Sequence, residues 1–124
     1  MEYYIVDSFA TKLFKGNPAG VCVLDRRIPL ELMQKIAEEN NLPETAFVVK
    51  GKGNYELRWF TPKAEIDLCG HATLAAAYVI SNFIDVNVKK IDFFTQSGKL
   101  EVTRNGNLYE MIFPEIMPIE IELS

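Results

Sequence analysis

Histidine is almost missing from this chain: His71 is the sole one in 124 residues, and with Cys22 and Cys69 it falls short of a zinc ligand set. No metal site is expected. Basic residues are sparse and scattered, 13 Lys and Arg against 17 Asp and Glu for a net charge of -4; with no cationic stripe, a nucleic-acid partner is disfavoured. Long apolar runs are lacking too. The longest, Ala72 to Ile80, is too short to span a bilayer, and the opening MEYYIVDSF has neither the basic start nor the small-residue cleavage site of a secretory signal. No membrane contact and a cytoplasmic location are the resulting expectations. Two cysteines allow one disulfide, but thiols in that compartment are normally reduced. Internal repeats and low-complexity segments are absent.

What the chain does have is apolar bulk, 48% of its residues, enough to fill one core and to suggest a single domain over residues 1–124. Tyr3 to Phe9 is rich in β-formers and reads as a first strand. Lys15-Gly16-Asn17-Pro18 is a turn signal before a second, Gly20 to Leu24, in which Cys22 reads as a packed apolar residue. After Pro29, Leu30, Met33, Ile36 and Ala37 recur at helical spacing with Glu31, Lys35, Glu38 and Glu39 on the other side, so a surface helix is expected up to Asn40-Asn41. Pro43 then pushes Leu42 out of helical geometry and a strand begins near Thr45. Glu44 sits at that helix-to-strand junction, which suits either a solvated surface acid or a functional carboxylate held by rigid flanks.

Gly51 to Asn54 predicts a hairpin turn into Tyr55 to Thr61, where Tyr55, Leu57 and Trp59 share one face, read as the inward one. A short strand is expected within Glu65 to Leu68. Farther on, Lys90 to Thr95, Lys99 to Thr103 and Leu108 to Phe113 read as strands, with Asn105-Gly106 as a two-residue hairpin turn because both accept positive φ. The tail PEIMPIEIELS suits an edge strand or the start of a connection.

Between these groups of strands lies DLCGHATLAAAYVISNF, Asp67 to Phe83. Its second half, Ala72 through Phe83, is apolar almost all round, the pattern of a helix buried on every side. Its entrance differs: Asp67, Cys69, Gly70, His71 and Thr73 gather where the first backbone N–H groups lack intrahelical acceptors and the helix dipole is positive. Such an end can bind an anion, with Gly70 opening the backbone to a ligand. It can equally be a plain cap by Asp67 or Thr73 with a tight turn at Gly70. Seven or eight short strands around one enclosed helix, with one surface helix, define an α+β class. The sheet is expected to be strongly curved, barrel-like and mixed or antiparallel.

The segments IVDSFATKLFKGNPAGVCVL, LMQKIAEENNLPETAFVV, YELRWFTPKAEIDLCGHATLAAAYVI and TQSGKLEV, in that order and spacing, resemble the PhzF-type family of phenazine biosynthesis. The resemblance spans nearly the whole chain. It implies a fold similar to diaminopimelate epimerase, two related halves each wrapping a curved sheet around a central helix, with the active site between them. It also implies cofactor-free proton transfer at carbon, an isomerisation or epimerisation of a small carboxylic acid. The family's general acid/base glutamate matches Glu44; the histidine lining the site matches His71, with Gly70 presenting a backbone N–H beside it. Asn17 matches a polar substrate contact. Racemases of the parent fold use a thiol just before the helix, which makes Cys69 a second candidate acid/base.

Removing a proton from carbon demands a base screened from water and donors for the developing negative charge. The amides of Gly70 to Thr73 would supply those donors, and the same helix terminus is expected to lower the Cys69 thiol pKa. The chain corresponds to the N-terminal half of a PhzF-type protein, and such a half alone is expected to present Glu44 and His71 on an open face. Three arrangements follow: a half that is catalytically incomplete alone and inactive until a missing C-terminal half is supplied, a homodimer whose twofold cleft holds two copies of Glu44 and Cys69, or a binding domain without chemistry.

Overall fold

The computed structural model describes residues 1–6, 18–67, 69–106, 108–112 and 119–122. The predicted turn at Lys15-Gly16-Asn17, the end of the first predicted strand and the candidate Asn17 lie outside these residues. The chain runs β1 (Glu2–Val6), β2 (Ala19–Leu24), α1 (Leu30–Asn40), β3 (Glu44–Lys50), β4 (Tyr55–Phe60), β5 (Glu65–Ile66), α2 (Gly70–Val79), β6 (Lys90–Thr95), β7 (Gly98–Asn105), β8 (Leu108–Ile112) and β9 (Ile119–Glu122). One nine-stranded sheet holds them in the order β1-β2-β3-β4-β6-β7-β8-β9, with β5 on β4. Neighbours are antiparallel except β2 with β3 and β4 with β6. Those two parallel steps are the ones that need a helical crossover, α1 for the first and α2 for the second. The predicted tail strand is present as β9, paired antiparallel with β8.

The sheet curls into a half-barrel with α2 in its hollow, the architecture expected from the apolar helix. Val21, Val23, Ala46, Val48, Leu57, Trp59, Ile91, Phe93, Leu100, Val102, Tyr109 and Met111 all turn toward α2, so strands from β2 to β8 line one core. Alanines 75, 76 and 77 leave that helix thin enough for strands on several sides; each of the three is fully buried. The outer face of the same strands carries a second, smaller core of Cys22, Leu24, Phe47, Val49 and Phe60 under Met33 and Ala37 of α1. Double coverage explains why β2 and β3 read as unbroken apolar runs rather than alternating ones. It also places Phe60 beneath α1, so β4 is aromatic on both faces and not only on the inward one.

Other departures have simple causes. Phe83 is exposed and stacks on Tyr4 at 5.1 Å instead of entering the core, because the helix passes into a π-helical segment, Ile80–Ile84, at the barrel rim. Leu30, in the first turn of α1, is also exposed. Asn105 pairs with Leu108 as the last residue of β7 rather than forming the turn itself, and of the Asn-Gly pair only Gly106 has positive φ. At the end of α1, Asn41 adopts φ 51°, the left-handed cap that Asn tolerates, and Pro43 follows.

Candidate active site

Glu44 opens β3, and the alternation that turns Ala46 and Val48 inward turns its carboxylate the same way, toward the start of α2. Pairing of β5 with the end of β4, Trp59 opposite Ile66 and Phe60 opposite Glu65, brings the chain back across that rim. The turn between them is fastened by Thr61, whose N–H donates to Ala64 O at 2.8 Å and whose Oγ1 accepts from the N–H groups of Lys63 and Ala64. From the other side, Ser97 Oγ donates to Asp67 O at 2.8 Å. The segment before α2 is thereby fixed from two directions.

Cys69, in extended geometry with φ -145° and ψ 107°, is the residue from which α2 starts, and no side chain caps the helix there. The predicted caps are absent: Thr73 Oγ1 donates back to Cys69 O at 2.8 Å and accepts from Trp59 Nε1 at 3.0 Å, bracing the first turn against β4 from inside the core. Nothing in the sequence singled out that Trp59–Thr73 link except the four-residue spacing from Cys69 to Thr73.

The structure brings Glu44, Cys69 and His71 together. Cys69 Sγ donates to Glu44 Oε1 at 3.2 Å, and His71 Nδ1 lies 3.9 Å from the same oxygen. The Glu44 side chain is 17% exposed and that of His71 32%, so the carboxylate is largely sheltered rather than displayed on an open face. Glu44 Oε2 is buried and has no hydrogen-bond partner among the described residues. A buried, unpartnered carboxylate oxygen is costly in a structural role and calls for another explanation.

The Cys69 thiol behaves contrary to the helix-dipole expectation. Burial, with the neighbouring Glu44 carboxylate acting in the same direction, pushes it up to about 12, outweighing the Ala72 and His71 N–H groups that favour thiolate. Two of the amides expected to face a substrate anion thus act on the thiol. Cys22 is likewise pushed up to about 12, by burial alone. Both cysteines are free and belong to different cores, so they form no bridge. Among the described residues no group of three or more His, Cys, Asp and Glu could hold a metal ion, and no helix is long and apolar enough to cross a membrane.

A cleft of about 330 Å³ lies on the outer face, lined by Arg27, Pro29, Met33, Phe47, Glu56 and Arg58, away from Glu44. Its two arginines are already neutralised, Arg27 by Glu56 at 2.8 Å and Arg58 by Glu65 at 2.7 Å.

An uncharacterized isomerase of Pseudomonas aeruginosa is 54% identical over 118 residues, covering 95% of this chain and 46% of its own. A human phenazine biosynthesis-like domain-containing protein is 43% identical over 112 residues, 84% of this chain and 39% of its own. The crystal structure of a PhzF-family phenazine biosynthesis protein of Enterococcus faecalis superposes with a TM-score of 0.80 at 55% identity, over 94% of this chain and 46% of that one. The chain therefore spans about half the length of the relatives it matches. With residues 6–123 matching the family pattern described as phenazine biosynthesis-like protein, a half-barrel closed on its central helix and these relatives, the chain belongs to the PhzC-PhzF family.

Proposed function

We propose that this chain supplies one wall of an isomerase site for cofactor-independent proton transfer at carbon of a small carboxylic acid, with Glu44 as the acid/base. The observation that carries the reading is the sheltered Glu44 carboxylate, 17% exposed, set between the Cys69 thiol and the His71 ring at the start of α2. In the step, a Glu44 oxygen takes a proton from carbon while the C–H electron pair stays on the substrate as an enolate-like charge. The glutamic acid then returns a proton to carbon at another face or position. His71 and the backbone at Gly70 line the substrate side, and Asn17 is assigned a polar contact. The opposite wall is assigned to a second half or a second copy of the chain. That one relative carries the description isomerase supports the reaction class.

Exchange of carbon-bound hydrogen for solvent deuterium tests this directly. Small amino and hydroxy acids are incubated with the chain in D2O and followed by proton NMR, with Glu44→Gln as the control. Where a second copy completes the cleft, the expected outcome is exchange in the parent chain that falls by about 10²–10⁴-fold in the variant, the usual contribution of a positioned acid/base. Equal exchange in both proteins removes Glu44 from the role. No exchange in either favours a binding domain, and the mass in solution shows whether a second copy joins.

A further inference from the structure

Glu44 Oε1 and Oε2 are not equivalent. Oε1 is engaged by Cys69 Sγ at 3.2 Å and faces His71 Nδ1 at 3.9 Å, whereas Oε2 is buried with no hydrogen-bond partner among the described residues. Cys69 is itself 8% exposed and sits where the chain enters α2, its backbone anchored by the Thr73 hydroxyl on its carbonyl. We propose that Cys69 is a positioning residue, not an acid/base: its S–H, donated to Oε1, holds the Glu44 carboxylate in one orientation for proton transfer. The inference rests on Glu44 being the acid/base.

The chemistry follows from the surroundings. A thiolate here would be desolvated and would face a carboxylate, so Cys69 keeps its proton and stays a donor. The S–H contact at Oε1 holds the carboxylate in one rotamer. A Glu44 oxygen takes the carbon-bound proton, its electron pair forming the new O–H bond while the C–H pair remains on the substrate. Meanwhile the Cys69 S–H bond stays intact throughout. A second-acid role would require that bond to break, with the proton leaving for a substrate carbanion.

Thiol chemistry tests the contact without any substrate. Iodoacetamide labelling of the intact chain against pH, read residue by residue by mass spectrometry, gives separate profiles for Cys69 and Cys22. In Glu44→Gln the Cys69 profile should move to lower pH, because the carboxylate that holds its proton is gone, while Cys22, in the other core, stays in place. An unmoved Cys69 profile overturns the proposal. On whichever acid exchanges, Cys69→Ala should lower the exchange rate roughly tenfold with KM little changed. Cys69→Ser, which keeps a donor, should restore it. Identical rates in all three proteins would reduce Cys69 to packing, and complete loss of exchange in both variants, with folding intact, would make it the acid/base; either result sinks the idea. Exchange that survives Glu44→Gln instead overturns the Glu44 assignment and leaves the labelling result standing, so the two failures are told apart.

Discussion

The two ends of α2 solve the same problem in opposite ways. At the C-terminal end polar groups pair within the chain: Ser81 Oγ donates to Ala77 O at 2.8 Å, Tyr109 OH lies 2.9 Å from Ser81 Oγ, Asn82 Nδ2 donates to Tyr78 O at 2.8 Å and Arg104 Nη1 to Ser81 O at 3.0 Å. With its own hydrogen spent on Ala77, Ser81 must accept from Tyr109. The Asp85 N–H closes the π-helical turn on Ile80 O at 2.7 Å. Orphan carbonyls of a helix end are thereby satisfied from within the chain, with a cation at the negative pole of the dipole. At the N-terminal end, by contrast, no side chain among the described residues caps the helix, and a Glu44 carboxylate oxygen is buried without a partner among them. The satisfied end stabilises the fold; the unsatisfied end is where chemistry has room.

That contrast can be broken by mutation. Trp59→Ala should have the largest effect, a loss of about 3–5 kcal/mol in urea unfolding, because it empties a core site and removes the donor to Thr73. A loss under about 1 kcal/mol would mean the bracing of the N-terminal turn is incidental. Ser81→Ala should come next, destabilising by about 1–3 kcal/mol because Tyr109 OH is left buried without its partner. The labelling profile of Cys69 should not change in that variant, and a change would couple the two ends. Phe83→Ala, at an exposed ring stacked on Tyr4, should cost least, about 0.5–1.5 kcal/mol. A larger loss would show that the rim beyond the π-helical turn belongs to the core after all.

The fold was legible wherever local chemistry and pattern agree. The all-round apolar helix implied its own enclosure, and Asn41 with Pro43 marked the end of α1. The turn in GKGN lies where predicted, between Lys50 and Tyr55. The pattern was less informative where one residue can face either of two cores. Phe60 reads as the outward partner of Trp59, yet lies beneath α1, because a strand covered on both faces carries no polar alternation. Phe83 shows the reverse case: its apolarity extends the helix pattern beyond the point where the barrel ends.

For the site, GHAT and ETAF drew attention to Glu44, Cys69 and His71 separately, and no spacing rule brings residues 25 apart to within 3.2 Å. The sign of the Cys69 shift was equally out of reach. A helix terminus lowers a thiol pKa and burial raises it, and only the packed molecule says that burial and a facing carboxylate outweigh two amides. Sequence alone determined which segments become helix or strand and that one helix must lie inside, because those follow from side-chain periodicity and backbone preference. Tertiary structure alone decided which oxygen of Glu44 meets the Cys69 thiol, because that depends on distances between groups that chain order does not bring together.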